Sequence, residues 1–250
     1  MPLDALRDTR AFASETKFLV PAATGDAIRE WARRHLMADP HGGGHAGDEY
    51  DTTTLYYDSP AFDVFHRRGS FGRSKYRVRR YGHHPQVFLE RKLRRPGMLT
   101  KRRTLVSLGA LARLDEPLTG WEGDWFQRRL ELRRLRTVCE IRYHRIARTG
   151  AGAHGPIRLT LDDRLVVSKA ARAAFAEGGD GLPFLRNQLV LELKYRFSAP
   201  PLFKQLVEAF ALQPAPVSKY RLGIVALGWP EITQSTTRPV HDVGAGSLSA

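Results

Sequence analysis

Between Ser74 and Tyr81 the chain reads Ser-Lys-Tyr-Arg-Val-Arg-Arg-Tyr, and between Val87 and Lys92 it reads Val-Phe-Leu-Glu-Arg-Lys. Side chains alternate faces along a strand. Lys75, Arg77 and Arg79 therefore share one face, and Glu90 and Lys92 share one face of the next strand. A later segment repeats the pattern, with Leu189, Leu191 and Leu193 alternating with Val190, Glu192, Lys194 and Arg196. An antiparallel sheet ordinarily has one greasy and one wet face, the wet one carrying dispersed polar groups. Here the wet faces carry lysine, arginine and occasional glutamate. Charged faces repeated along one chain are expected to converge, and converging cations need an anion.

The composition permits this. The chain has 250 residues, 42% hydrophobic, enough for a sizeable core, and its net charge is +14. Such a charge favours polyanionic partners: nucleic acid, nucleotides, polyphosphate or an anionic membrane surface. With Cys139 the only cysteine, an intrachain disulfide and a cysteine-based zinc site are excluded. No apolar run reaches the ~20 residues of a membrane span. The first residues lack the apolar core of a signal peptide, so a soluble, cytoplasmic protein is expected. The histidines fall in no metal-binding pattern, and neither a P-loop nor a Gly-x-Ser-x-Gly nucleophile motif occurs.

The patterning predicts strands near 11–20, 52–57, 74–82, 86–94, 100–107, 136–149, 156–168 and 187–198. Helices are expected at 23–37, 61–68, 108–114, 121–133 and 200–211, and 220–227 fits strand or helix. Residues 1–11 read as an extension, 12–228 as one domain, and 229–250 as a polar, disordered tail. Hairpin-scale spacing in the middle implies antiparallel pairing. The expected fold is α+β, an inverted closed β-barrel with a charged lumen inside and helices packed outside.

Arg77 and Arg79 form a fork for phosphate oxygens, with Lys75 beside them. Glu90 with Lys92, and Glu192 with Lys194, place a carboxylate two residues from a lysine on one face. Such a pair either forms a cross-strand ion pair or holds a hard metal whose phosphate ligand the lysine grips. Glu15-Thr16-Lys17 repeats the spacing, and Arg158 adds a cation to the face of another strand.

Taken in order, these residues resemble the VTC domain, the polyphosphate polymerase domain of the vacuolar transporter chaperone family, within the triphosphate tunnel metalloenzymes. The resemblance runs through Glu15-Thr16-Lys17-Phe18, Thr54-Leu55-Tyr56-Tyr57-Asp58-Ser59, Lys75 to Gly82, and Phe88-Leu89-Glu90-Arg91-Lys92. It continues through Lys101-Arg102-Arg103, Tyr143-His144-Arg145, Ile157 to Asp162, Leu191-Glu192-Leu193-Lys194 and Ser218-Lys219-Tyr220. It implies a tunnel-shaped barrel that binds ATP or another nucleoside triphosphate and passes its γ-phosphate to a growing polyphosphate chain. Lys17, Arg77, Arg79, Lys92, Arg145, Arg158 and Lys219 would grip phosphates, with Arg77, Arg79, Lys92, Arg145 and Arg158 as the catalytic cations. Lys75, Lys101, Lys194 and Arg68 would join the phosphate site, and Tyr143 and Ser218 would add hydroxyl contacts. Glu192, with Glu90, would hold a manganese or magnesium ion. No specific nucleic acid is implied. Relatives sit in membrane complexes, so a membrane-protein partner is conceivable although this chain has no span of its own. A triphosphatase in the same barrel and a non-catalytic polyphosphate-binding module are the alternatives. Two positions depart from the pattern. Ala13 replaces the first acid of Glu-x-Glu-x-Lys, and Pro216 or Val217 stands where the family has a cation before Ser-Lys.

Overall fold

A computed structural model describes residues 14–229, apart from 96–97, 118–119, 177 and 179–180. The expected extension at 1–11, Ala13 and the tail beyond Trp229 lie outside the described residues. In chain order the main elements are β1 (Ser14–Pro21), α1 (Ala22–His35), β2 (Met37–Ala38), β3 (Glu49–Asp58), α2 (Asp63–His66) and β4 (Ser74–Tyr81). Then come β5 (Gln86–Arg95), β6 (Met98–Ser107), α3 (Asp124–Leu132), β7 (Arg136–Gly152), β8 (Gly155–Lys169) and β9 (Leu182–Pro183). β10 (Gln188–Tyr195), α4 (Pro201–Ala209) and α5 (Lys219–Ala226) complete the set. The expected helix at 108–114 is a 3-10 segment, Leu108–Asp115, with Ser107 accepting from the Ala110 amide at its start.

All the strands join one antiparallel sheet in the order β1-β10-β8-β7-β3-β4-β5-β6, with β2 on β7 and β9 on β8. Among the described residues the sheet is not closed by backbone hydrogen bonds. Its end strands there, β1 and β6, share no ladder, so hydrogen bonds do not close the expected barrel. It is nevertheless strongly curled. Lys92 of β5 reaches Glu15 of β1 at 3.2 Å, although five strands lie between theirs in the sheet order. Right-handed twist accumulating over so many strands supplies the coiling. Closure then depends on side chains, because no backbone ladder joins the two rims.

The convex side is greasy. Ile28 and Ala32 of α1 and Phe203 and Leu206 of α4 pack on Phe18, Leu159, Leu191 and Leu193. Phe126 and Leu130 of α3 cover Leu55, Val78 and Leu89 farther along the sheet. The helices start where chemistry favours it: Pro201 opens α4, and Arg33, Arg34 and His35 close α1 against its negative dipole end.

α5 departs from the expected plan of helices outside. It lies on the concave side. A Cβ on Gly223 would meet Ile141 Cδ1 at 2.9 Å and Val167 Cγ2 at 3.1 Å, and both face inward. Tyr220 stacks on Tyr56, ring centroids 5.2 Å apart, and donates its hydroxyl to Asp58. Asp58 also accepts from the Ser59, Val64 and Phe65 amides at 2.7–2.9 Å. This buried carboxylate thus ties α2, the end of β3 and α5 together.

Candidate functional site

Strand register assembles the concave face in rows. On one wall Lys75 is opposite Lys92, and Lys92 is opposite Lys101. The next row is Arg77, Glu90 and Arg103. On the facing wall Glu15 is opposite Lys194 and Lys194 opposite Arg158, while Lys17, Glu192 and Thr160 form the neighbouring row. Directly opposed residues share a face. The alternation that places leucines on the convex side therefore places these charges on the concave side.

Four carboxylates of the groove are held by cations. Glu90, 1% exposed, receives Arg77 Nε at 2.6 Å, with Lys101 and Arg103 at 3.2 and 3.1 Å. Glu192 contacts Lys17, Lys194 and Lys219, each at 3.2 Å. Glu15 contacts Lys17 at 2.8 Å and Lys92 at 3.2 Å. Asp162 takes a bidentate pair from Arg145 at 2.6 and 2.8 Å and Lys219 at 2.5 Å. Burial pushes each of these carboxyls up, but the surrounding cations win. Glu90 and Glu192 are held well below the ordinary range and Asp162 below it. For Glu15, burial and neighbouring Glu192 push up while Lys17, Lys92 and Lys194 pull it down to about 2.

The cations are tuned in both directions. Burial lowers Lys17, yet Glu192 and Glu15 raise it overall. Among the described residues Lys75 has no carboxylate beside it. Burial, with the charges of Lys17, Lys92, Arg77 and Arg67, lowers it to about 7. Its ammonium donates to Ser218 Oγ at 3.1 Å, at the N-terminus of α5. Lys194 falls to about 8, chiefly by burial. Arg79 is buried and donates to Thr54 Oγ1 at 3.2 Å. Arg158 pairs with Asp39 at 2.8 Å and donates to Tyr50 Oη at 2.8 Å. The Tyr143 ring lies beneath Arg145 and Lys219, and its hydroxyl, like those of Thr52 and Thr160, is buried without a hydrogen-bond partner.

The expected residues therefore come together on one concave surface, with Arg68 the exception. Its side chain is 53% exposed and bonds Ala61 O and Asp63 before β4 begins, outside the groove. Val217 is buried, and no cation replaces it ahead of Ser218. Asp162 and Arg103 have no role in the sequence reading of the site, and Glu15 enters it only by repeating the acid-x-lysine spacing. Each lies two or four residues from a chosen cation on the same strand face, so period-two alternation alone could have found them.

A curled antiparallel sheet with a cationic concave face, flanked by helices, defines a triphosphate-tunnel protein. The chain belongs to the VTC domain family, whose pattern it matches over residues 12–227. Among solved structures it is similar to a candidate adenylate cyclase of Bacillus halodurans. That match has 16% identity, covers 82% of this chain and 92% of the other, and has a TM-score of 0.52. It is also similar to the PH1819 protein of Pyrococcus horikoshii (15% identity, 86% and 98% covered, TM-score 0.47). A third is HpAC1 of Hippeastrum, a candidate adenylyl cyclase described as having a dominant triphosphatase activity (14% identity, 87% and 97% covered, TM-score 0.46). No curated protein matches the chain in sequence.

Proposed function

We propose that this chain is a polyphosphate polymerase that transfers the γ-phosphate of ATP to a growing polyphosphate chain inside the cationic groove. The observation that carries this reading is the pairing of four groove carboxylates, Glu15, Glu90, Asp162 and Glu192, with at least two cations each. Glu15, Glu90, Asp162 and Glu192 all stay ionised and weakly basic. None of these four suits the abstraction of a proton from water, a step that would assist a hydrolase. A polyphosphate terminus arrives already ionised and needs no base.

In the proposed reaction a terminal oxygen of the acceptor attacks the γ-phosphorus. The bond from that phosphorus to the β–γ bridging oxygen breaks, and ADP leaves with the electron pair. Phosphoryl transfer asks chiefly for positioning and charge neutralisation. Arg77, Arg79, Lys92 and Arg158 would supply both along the groove walls. Lys17, Lys75, Lys101, Lys194, Lys219, Tyr143 and Ser218 would hold the flanking phosphates, and Arg145, locked to Asp162, would act from behind them.

The family implies a divalent ion, manganese or magnesium. Among the described residues no group of three or more metal-ligating side chains occurs. Magnesium commonly needs only one or two carboxylates, with substrate phosphates completing its shell. Glu192 and Glu15 fit that role, since both reach the same Lys17 ammonium, at 3.2 and 2.8 Å. Glu90 and Glu192 are each contacted by three cations. Glu90, however, shares its strand row with Arg77 and Arg103, whereas Glu192 shares a cation with a second carboxylate, so the ion is proposed at Glu192 and Glu15 in preference to Glu90. A bound ion would withdraw charge from the phosphate oxygens.

Incubation of the purified chain with ATP and Mn2+ tests the reading. Long-chain polyphosphate and ADP are expected. Orthophosphate without polymer would replace the reading with a triphosphatase. Binding without turnover would replace it with a polyphosphate-binding module.

A further inference from the structure

The two ends of the groove differ in chemistry. Toward Lys75, the residues around Ser218 are cations: Lys92 on the neighbouring strand, with Arg67 close enough to depress the Lys75 ammonium. Toward Tyr81, aromatic rings appear instead. Tyr50 and Tyr81 meet edge to face with centroids 5.6 Å apart, and Tyr81 meets Phe88 at 5.8 Å. The Arg103 guanidinium lies 3.3 Å from the Phe88 ring centroid and donates to Tyr81 Oη at 3.2 Å. Arg158, held by Asp39, donates to Tyr50 Oη. All three rings are only half-buried.

Register shows that these rings face the groove. Tyr50 is opposite Arg145, Tyr81 opposite Thr52, and Phe88 opposite Arg79. A polyphosphate chain has no use for such rings. It offers charged oxygens, and an aromatic face repels anions. A nucleobase is the part of a nucleoside triphosphate that rings and planar guanidinium groups recognise, by stacking. Lys92 lies four positions beyond Phe88, about 14 Å at strand rise. That span leaves room for a ribose and a triphosphate between a base at Phe88 and a terminal phosphate at Lys92.

We propose that Tyr50, Tyr81 and Phe88, with Arg103, form the nucleobase site, and that they fix the direction of the donor in the groove. The base lies at the aromatic end. The triphosphate runs past Glu90 and Arg77 toward Lys92 and Lys75, so the acceptor polyanion occupies the cationic end at Ser218. The inference rests on the nucleotide-donor reading above. It names the part of the groove that separates ATP from inorganic tripolyphosphate.

Calorimetric titration of the full chain with ATP and with tripolyphosphate, without added metal so that neither turns over, provides the test. The wild-type chain should bind ATP more tightly than tripolyphosphate. Phe88→Leu and Tyr81→Leu should each weaken ATP by at least about fivefold, the loss expected on removing one stacking ring, and leave tripolyphosphate within about twofold. Equal wild-type affinities, or equal losses for both ligands, would overturn the assignment. Saturation-transfer NMR on the wild-type chain needs no variant to fold. Strong transfer to adenine H2 and H8 is expected, and its absence would reject the site. Neither readout involves polymer. A chain that hydrolyses ATP would pass both and still count against the polymerase reading.

Discussion

A lysine among other cations cannot hold its proton as it does in water. Burial and four neighbouring positive charges bring Lys75 to about 7. A polyanion bound beside it reverses the balance and raises it again. Binding at about pH 7.5 should therefore take up protons, and affinity should fall as pH rises above 7 through the bound-state value. Tripolyphosphate titrations in buffers of different ionisation heat measure the uptake directly. Lys75→Met should remove part of it, and zero uptake by the wild-type chain would refute the argument. Glu15 works in the opposite sense. Its carboxyl lies at about 2 in the folded chain against an ordinary 4.5. The folded state gains from its ionised form above 4.5 and loses that gain as pH falls toward 2. The shift corresponds to on the order of 3 kcal/mol. Glu15→Gln should lower stability at neutral pH and flatten the acid limb of a urea-unfolding series. An acid limb as steep as wild type would assign the effect to other carboxylates.

At the scale of elements, α5 does what no strand of the sheet can: it brings Ser218 and Lys219 into the concave face. Its place depends on Gly223, against Ile141 and Val167, and on the Tyr220–Asp58 bond. Gly223→Val should overpack this contact, cost about 1–3 kcal/mol, and draw Lys219 away from Asp162 and Glu192. Thermal melting and tripolyphosphate affinity should fall together. Gly109→Ala, where a Cβ meets nothing within 4 Å, is the control and should change neither. A melting loss with affinity intact would separate α5 from the site. This helix also marks where the sequence stops being informative. The strands could be read because period-two alternation is a local signal: it put Lys75, Arg77, Arg79, Glu90, Lys92, Glu192 and Lys194 on one face before any fold was known. Residues 220–227 are apolar without a clear period, since α5 is buried on several sides, so neither its helicity nor its concave position was legible. The partners of Arg145 and Arg158 were equally hidden. Asp162 and Asp39 reach them across the sheet or from a loop, and no local spacing encodes such meetings.

For the whole molecule, the missing ladder between β1 and β6 leaves side chains to hold the rims of a groove crowded with like charges. The Glu15–Lys92 contact is one such bond. An anion that enters the groove neutralises both walls at once and should stabilise the fold, not merely attach to it. At about 100 times its dissociation constant, a ligand that binds only the folded state adds about 2.7 kcal/mol. For a domain of this size that means about 5–11 °C in melting temperature. Tripolyphosphate should give this shift. Duplex DNA should not, although the net charge of +14 attracts it. A duplex is too wide to enter a groove whose facing side chains already touch across it, so it meets only outward-facing arginines in salt-sensitive contacts. Melting curves with each polyanion at matched phosphate concentration, at low and high salt, separate the two modes. If DNA raises the melting temperature as much as tripolyphosphate does, the stabilising anions lie outside the groove, and the charge is a general surface property rather than a site.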